Sequence, residues 1–479
     1  MLRHRGHRGA RVSQHSLKRD LGLSDLVLTQ ILFIVGLPWV GVAAKQGPAH
    51  VVFWLIAAAL FYVPSAVVVI HLNRDMPLEG GLYQWAKRGF NDLVGFLVAW
   101  NLWLFAILNT SETGIQVAQY AGYVLGPSGA HLVESRLAIV LISAATFTGL
   151  TLLAIRGLSV GKWVHKLGGV LMMTTFAALI ALPWLNLSVG ALREFHPLAT
   201  AMPVVSIMSL NLLGKMGFGA LGGFEYVAIH AGECRDPVRT IGRSVVVAAP
   251  IIVLMFILGT SSVLALIPFD EIDLIAPIPQ VLSVGFRPLG VVSLVAPATI
   301  VVLAIVRVAQ ASVMFTGNTR LPMVAGWDGL LPGWFTRLHP RHQTPVNSIV
   351  FVGAITFAFS LAGMIGVGKQ EAFQLLWNAS AIFYALTYLV MFAIPLVGNR
   401  AAVSTGPLWL RAAAVSGFLM TLLYATLSVL PIVTVASRTL FALKICGVIA
   451  ATNAIGIAIY WKNARKAESV SAGSSSGMK

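Results

Sequence analysis

Long apolar segments alternate with short polar loops along almost the whole chain. About 20 apolar residues in a helix cross the hydrocarbon core of a bilayer, and twelve segments reach that length. The pattern predicts an all-α polytopic membrane protein with twelve transmembrane helices. The predicted spans are Ser24–Ala44, Ala49–His71, Leu93–Val124, Leu137–Ile155, Trp163–Leu185, Pro203–Ala231, Ser244–Ile267, Leu289–Thr316, Pro345–Ile365, Phe373–Val397, Leu410–Val435 and Leu440–Tyr460.

The sixth predicted span is unusually rich in glycine, in the stretch Gly214-Lys-Met-Gly-Phe-Gly-Ala-Leu-Gly-Gly-Phe-Glu225. Each glycine in a helix interior costs about 1 kcal/mol relative to alanine, so a continuous helix is unfavourable here. Backbone groups released at membrane depth need protein partners or a wet cavity. The stretch therefore predicts two half-helices around an unwound centre. Close packing of glycines between helices is the alternative.

The first predicted span is interrupted by Gly36-Leu-Pro-Trp-Val-Gly41. Pro38 removes a helical donor and its ring clashes with the preceding turn, so we predict a second broken helix. Broken helices at positions one and six are the first helices of two five-helix halves. Because five is odd, the second half is inserted upside down. The chain thus predicts a 5+5 inverted repeat with a binding site near the bilayer midplane, followed by two extra C-terminal helices.

The composition excludes a soluble protein with a large core. Of the 479 residues, 57% are hydrophobic and only 10% are charged, and the mean hydropathy is +0.83. The net charge of +16 could suit nucleic acid, but 24 of the 33 Lys and Arg residues fall on one side of the predicted membrane and six on the other. By the positive-inside rule, this asymmetry predicts a multi-pass protein of the inner (cytoplasmic) membrane with both termini in the cytoplasm.

Several other functions are not indicated by the sequence. Two cysteines, Cys234 in a loop and Cys446 in a span, do not suggest a disulfide framework or a zinc site. The basic N-terminal arm leads into no short apolar core with a cleavage site, so we expect it to meet anionic lipid headgroups. Because H-E-x-x-H, G-x-S-x-G and phosphate-loop motifs are absent, we expect no catalytic residues, no metal and no cofactor.

Motifs near the ends of the second, sixth and eighth predicted spans resemble those of the amino acid–polyamine–organocation (APC) permease superfamily, over about residues 23–395. The motifs are Glu79-Gly-Gly-Leu-Tyr-Gln-Trp85, Gly223-Phe-Glu225 followed by Glu233 and Pro237, and Thr319-Arg-Leu-Pro followed by Asp328-Gly-Leu-Leu-Pro332 and Thr344-Pro345. Pro38 stands in Gly-Leu-Pro, where most members carry Gly-Ser-Gly. In this respect the chain is most similar to the glutamate/γ-aminobutyrate antiporter branch.

The resemblance implies a LeuT-like fold and secondary active transport of amino acids or related amines by alternating access. It divides the chain into a basic cytoplasmic arm (1–22), a transporter core (23–397), spans eleven and twelve (398–460) and a cytoplasmic tail (461–479). We expect the Ser/Gly-rich end of the tail, after Ser469, to be disordered. A polyamine or organic-cation transporter, a transporter-like sensor and a channel are the alternatives. Nothing in the sequence indicates an oligomeric state.

Two departures from the family pattern leave proton-coupled symport and exchange both open. Most members carry an acidic residue at the inner end of span two, where this chain has His71. Some proton-coupled members carry a lysine deep in span five. Here Lys162 and Lys166 lie near its cytoplasmic end, and the deeper part of the span has none.

We expect the two breaks to form the substrate site. Amide donors at the start of a half-helix suit a carboxylate, and carbonyls at the end of a half-helix suit an ammonium group. Phe218 could close over a bound substrate, or it could be an ordinary core ring. The predicted substrate-binding residues are Gly36, Leu37, Pro38, Trp39, Gly41, Phe218, Gly219, Ala220, Leu221 and Gly222.

Four ionisable residues within the predicted spans are candidates for coupling or gating, because charge inside a membrane is costly and marks function. They are Glu112, Lys215, Glu225 and Arg307. The alternative for Glu112 and Arg307 is a structural ion pair. Glu225 could instead stabilise the start of the second half-helix. Lys215 could replace the missing span-five lysine, since buried lysines change protonation readily.

The same four residues predict selectivity. If Arg307 pairs with Glu112, the pocket is close to neutral and suits zwitterionic amino acids, whereas an unpaired Arg307 would attract an acidic side chain. A polyamine would meet repulsion in either case, because no spare acid remains within the spans. We therefore expect neutral amino acids first, acidic ones second and polyamines third.

Overall fold

The computed structural model describes residues 22–76, 81–129, 133–156, 158–228, 236–290, 294–319, 332–342, 344–365, 368–399 and 406–476. In these residues every regular element is helical, which confirms the predicted all-α class. Nearly all of the predicted N-terminal arm lies outside the described residues. So do Glu79, Glu233, Cys234 and Asp328 of the predicted loops.

Eighteen α-helices follow one another along the described chain. The first nine are α1 (Leu23–Ile34), α2 (Trp39–Ala44), α3 (His50–Ala57), α4 (Val63–Asp75), α5 (Leu82–Gly89), α6 (Asp92–Ser111), α7 (Thr113–Leu125), α8 (Arg136–Arg156) and α9 (Leu158–Ser188). The others are α10 (Ile207–Gly214), α11 (Phe224–Ala228), α12 (Pro237–Leu266), α13 (Pro277–Gly285), α14 (Val295–Thr319), α15 (Val346–Gly363), α16 (Lys369–Val397), α17 (Leu408–Leu427) and α18 (Arg438–Ser476). Two π-helical turns, Ala58–Tyr62 and Lys215–Gly219, follow α3 and α10.

Ten helical segments of the described residues are long and apolar enough to cross a membrane. They are Gly47–Asp75, Asp92–Gly129, Arg136–Arg156, Lys166–Ser188, Val238–Leu266, Val295–Thr319, Val346–Gly363, Lys369–Val397, Leu408–Leu427 and Arg438–Asn463. The predicted spans missing from this set are the first and the sixth, where the helix is interrupted. The longest α-helices there are α1, with 12 residues, and α10, with 8 residues.

Side chains at helix starts explain where two of the long helices begin. Asn91 accepts a hydrogen bond from the amide of Val94 (2.9 Å) at the start of α6. Asp236 accepts one from the amide of Arg239 (3.2 Å) at the start of α12. Both side chains satisfy amides that have no partner within the helix. Pro237 follows Asp236 in the first helical position, where a missing amide proton does no harm.

Two predicted helix ends differ from the structure for local reasons. The eighth predicted span begins at Leu289, but α14 begins at Val295. The turn at Gly290, with a φ of 71°, precedes it, and such a conformation interrupts a helix. α17 ends at Leu427, before the predicted end of span eleven. Pro431 follows, and proline disfavours helical continuation.

The last helix is longer than predicted. α18 continues past Tyr460, the predicted end of span twelve, as far as Ser476. Residues 462–468 are rich in Lys, Ala and Arg, which are strong helix formers, and they allow the helix to continue. The expected disorder of the tail from Ser469 onward stays a prediction.

Both interrupted segments lie within the bundle. α1 and α2 pack against α12, and α1 also contacts α9. α10 and the π-helical turn Lys215–Gly219 pack against α17. α16 packs against both α6 and α17 and buries most of its side chains. A site at either interruption is therefore enclosed by protein.

Candidate functional site

The first interruption lies between α1 and α2. α1 ends at Ile34, residues 35–38 are not helical, and α2 begins at Trp39. Pro38 explains the break, because its nitrogen has no proton to donate and its ring clashes with the preceding helical turn. The break predicted from the sequence is therefore present.

A side chain from α14 satisfies carbonyl groups at this break. The Nε2 group of Gln310 donates to the carbonyl oxygens of Leu32 (2.7 Å) and Val35 (3.0 Å). Gln310 is buried and also lines the cavity described below. Since unpaired buried carbonyls are unfavourable, Gln310 stabilises the open end of α1.

The second interruption is narrower than predicted. After α10 the chain forms the π-helical turn Lys215–Gly219, and α-helical geometry resumes briefly. Only Gly222 and Gly223 are not helical, and α11 begins at Phe224. Gly223 has a φ of 139°, which glycine adopts far more easily than other residues.

The remaining glycines of this stretch serve close packing. A Cβ atom on Gly214 would lie 3.1 Å from Cα of Tyr424, and one on Gly217 would lie 2.8 Å from Cε of Met420. Both glycines therefore let the helical backbone approach α17. The packing alternative applies to these two residues, and the unwound backbone is confined to the two glycines before α11.

A cavity of about 70 Å³ lies between the two interruptions. Its wall is built from both broken segments together with α6, α14 and α16. Eight of the predicted residues line it, namely Gly36, Leu37, Pro38, Trp39, Phe218, Gly219, Gly222 and Arg307.

Trp39 connects the two interruptions across the cavity. A Cβ atom on Gly36 would lie 2.5 Å from Cδ1 of the Trp39 ring, and one on Gly219 would lie 2.5 Å from its Cη2 atom. The ring also makes an edge contact with Trp377 of α16, with centroids 5.1 Å apart. Both glycines are thus required by the position of the indole.

Aromatic rings form much of the remaining wall. Phe105 and Tyr384 stack with centroids 4.1 Å apart, and both line the cavity. Phe218 is 1% exposed and packs against Tyr384 and Tyr388 at 5.6 and 5.1 Å. Phe218 is therefore a wall residue that belongs to an aromatic cluster.

Arg307 brings a positive charge to the cavity wall, and a carboxylate lies beside it. Its Nη2 group donates to Oε1 of Glu112 (2.5 Å), to the hydroxyl of Thr113 (2.9 Å) and to the carbonyl of Asn109 (3.3 Å), and its Nε group donates to Gln116. Glu112 is fully buried at the junction of α6 and α7. The pair is therefore electrically balanced.

Glu225 is held by two tyrosines of α16. The hydroxyl of Tyr384 donates to one carboxylate oxygen and that of Tyr388 to the other. The Tyr388 oxygen in turn accepts from the amide of Gly223 (2.8 Å), a group released by the second interruption. Glu225 is 3% exposed, and no cation of the described residues forms an ion pair with it. Tyr384 links this carboxyl group to the cavity.

Three predicted binding residues do not line the cavity. Gly41 already lies within α2, where a Cβ atom would meet Pro277 at 2.9 Å, so it packs against α13. Ala220 and Leu221 are fully buried in the short helical turn before the second interruption. Lys215 does not line the cavity either; its amine faces Asn378. These placements correct the predicted binding set.

Nine lining residues were not predicted from the sequence. They are Phe33, Ile34, Phe105, Asn109, Gln310, Met314, Trp377, Ala381 and Tyr384. A signal existed for one of them, because Gln310 lies three positions after Arg307. Residues three or four apart share a helix face. That spacing could have placed Gln310 beside the predicted site.

A family model described as amino acid permease matches residues 21–451 of the chain. Among similar proteins, an uncharacterized transporter of Legionella pneumophila is 23% identical over 385 residues, which cover 78% of this chain and 80% of that protein. The branched-chain amino acid permease of Bacillus subtilis is 24% identical over 389 residues, covering 76% and 80%. The aspartate/glutamate permease of Lactococcus lactis is 22% identical over 378 residues, covering 75% of each chain.

Proposed function

This chain belongs to the amino acid permease family, and from that premise we propose that it is a secondary active transporter that carries amino acids across the cytoplasmic membrane by alternating access. The observation that carries the proposal is the cavity enclosed by two helix interruptions. Released backbone dipoles at membrane depth suit a small zwitterion. The similar proteins are transporters, and we propose no enzymatic role.

The proposed architecture has twelve spans. The ten long helices would be completed by the segment of α1 and α2 and by that of α10 and α11. Spans one to ten would form a LeuT-like inverted repeat in the transporter core (23–397), with two further spans in residues 398–460 and the arm (1–22) and tail (461–479) in the cytoplasm. The equivalent positions of the two interruptions, at spans one and six, support this arrangement.

We place the charged groups of the substrate at the interruptions. Residues 36–39 of the first broken segment and Phe218, Gly219 and Gly222 of the second border the cavity. Amides at the start of α2 would bind a carboxylate, and carbonyls near the second break would bind an ammonium group. The side chain of the substrate would face the ring of Trp39 and the stacked pair of Phe105 and Tyr384.

The proposed substrates are neutral amino acids. The charge of Arg307 is balanced by Glu112 at 2.5 Å, so the cavity has no unpaired charge for an acidic or basic side chain. Its aromatic wall favours apolar side chains. Of the similar proteins, one is named as a permease for branched-chain amino acids and another as a permease for aspartate and glutamate. Acidic amino acids are accordingly the second class, and polyamines the third.

Glu225 is the proposed coupling residue. It is a buried carboxyl group bonded only to hydroxyl groups among the described side chains, one of which belongs to the cavity wall. Proton binding there would change the hydrogen bonds of Tyr384 and Tyr388 directly. The substrate cavity and a proton site would thus be connected through one tyrosine. Exchange without protons is the alternative mode.

Uptake by the purified protein in proteoliposomes tests the proposed function. We expect labelled leucine to enter with saturable kinetics and to enter faster when unlabelled leucine is present inside. A channel would give flux that neither saturates nor shows this trans-stimulation. A sensor would bind leucine without any flux, and either result would reject the proposed transporter.

Replacing Glu225 by Gln tests the coupling. The variant cannot bind a proton at this position, so an inward proton gradient should no longer stimulate leucine uptake. Leucine–leucine exchange should persist, because that mode needs no net proton movement. Glu371→Gln, at the start of α16, is the matched control and should respond to the gradient as the native protein does. Full stimulation of Glu225→Gln would show that another group carries the proton.

A further inference from the structure

Lys215 is a buried cation, and its amine contacts only neutral groups among the residues that the structure describes. Its Nζ atom donates to Oδ1 of Asn378 (2.8 Å) and to the hydroxyl of Ser428 (3.4 Å). It also lies 5.6 Å from the centre of the Tyr424 ring, close enough for a cation–π contact. The side chain is 1% exposed. Its charge is therefore shielded from water, and none of these three contacts supplies a negative charge.

The carboxylates of the nearby helices are engaged elsewhere. Glu225 accepts from two tyrosines, and Glu112 pairs with Arg307. None of the ion pairs formed within the described residues includes Lys215. A lone charge in the interior is strongly unfavourable unless an opposite charge or a proton loss removes it.

Asn378, the partner of Lys215, also lacks a partner for one of its own polar groups within the described chain. Its carbonyl oxygen accepts from Lys215, but its Nδ2 group is buried and has no acceptor among the described residues. The whole side chain is 0% exposed. Loss of a proton from Lys215 would remove the charge, but with the amide oriented as observed its Nδ2 group would still have no acceptor among the described residues. An anion beside both groups would satisfy both deficits at once.

From this geometry we infer that Lys215 and Asn378 form a binding site for a small inorganic anion such as chloride. Both groups are hydrogen-bond donors, and the ammonium is a compact point charge that suits a spherical ion. Because both side chains are fully enclosed, a monatomic halide suits the position better than a larger oxyanion. Ser428 adds a third polar group at the edge of the site.

The site is separate from the cavity, since neither Lys215 nor Asn378 lines it. It joins the π-helical turn of the sixth predicted span to α16 and to the end of α17. Lys215 lies four positions before Gly219, and Asn378 directly follows Trp377. Gly219 and Trp377 both border the cavity. A bound anion would therefore fix two walls of the cavity relative to each other.

Thermal unfolding of the purified protein tests this site independently of any transport activity. The protein is compared in sodium chloride and in sodium gluconate at equal ionic strength. We expect chloride to raise Tm by about 2 °C or more, with saturation as its concentration increases. Equal Tm values in the two salts at every concentration would overturn the inference.

Three variants locate the effect. Asn378→Asp supplies a negative charge beside Lys215, so its Tm should become independent of chloride while the protein stays folded. Lys215→Met should lose the chloride response, and Lys444→Met, which removes a lysine of α18, should keep it. A full chloride response in Asn378→Asp would overturn the site, and this variant decides the matter even if Lys215→Met fails to fold.

Discussion

At the scale of single residues, Arg307 and its partners determine the charge that a substrate meets. Arg307 borders the cavity, and its guanidinium lies 2.5 Å from the Glu112 carboxylate. Glu112 is 0% exposed, so the arginine is its means of charge compensation. The pair therefore serves both the stability of the α6–α7 junction and the neutrality of the cavity.

A double-mutant cycle tests this pairing. Arg307→Gln leaves Glu112 charged and buried, and removal of one partner from a buried ion pair costs about 3–5 kcal/mol. We expect a clear loss of thermal stability in this variant, and substantial recovery when Glu112→Gln is added. The measurement is Tm in detergent for the native protein, both single variants and the double variant. Strictly additive losses would show that the two residues do not depend on each other.

The sequence was only partly informative at this scale. The four ionisable residues could be found because charge within an apolar span is conspicuous. Gln310 and Tyr384 could not be identified in the same way, since uncharged polar and aromatic residues are common within spans. Their position depends on how each helix is rotated in the bundle. The spacing from Arg307 indicates this rotation for Gln310, but only once the orientation of Arg307 is known.

At the scale of elements, Trp39 packs between the two interruptions and depends on both. Its ring fills the space where a side chain on Gly36 or Gly219 would otherwise lie. The first break could be predicted correctly from Pro38, because a proline in this position is sufficient by itself to interrupt the helix. The extent of the second break could not be predicted, because Gly214 and Gly217 serve contacts with α17, and a glycine in the sequence does not reveal which use it has.

Replacing Gly219 by Val tests the contact between the broken segments. A valine would push the Trp39 ring into the cavity, and overpacking of about 1–3 kcal/mol corresponds to a loss of leucine binding, and hence of uptake, of about 5-fold to 150-fold. The protein should still insert, since the change lies within an apolar segment. Gly149→Val is the matched control, because nothing lies within 4 Å of a Cβ atom there. Near-native uptake by correctly inserted Gly219→Val would reject a binding site at this position.

At the scale of the whole molecule, the apolar pattern predicts the membrane spans and the charge distribution predicts their orientation. Ten of the predicted spans reappear as long helices of the described residues, because about 20 apolar residues leave few alternatives in a bilayer. Helix ends were less predictable, since they depend on single turns such as that at Gly290. The inverted repeat stays a prediction, and so does the orientation in the membrane.

The orientation can be measured with a cleavable tag after Lys479. Because 24 of the 33 Lys and Arg residues lie on the predicted cytoplasmic side, we expect the tag to be protected in intact cells. Cleavage should occur only after the cells are opened, and a tag inserted after Ser188 in the loop following α9 is the opposite control. Cleavage of the C-terminal tag by an impermeant protease in intact cells would contradict the charge argument.

The central claim is that the cavity between the two interruptions binds neutral amino acids. Competition for labelled leucine on the purified protein tests this claim most directly. We predict that unlabelled alanine displaces leucine strongly, that glutamate does so weakly, and that arginine and putrescine do so least. Gly219→Val should bind leucine at least about fivefold more weakly than the native protein. Strong displacement by arginine or putrescine, with none by alanine or glutamate, would contradict a neutral amino acid site.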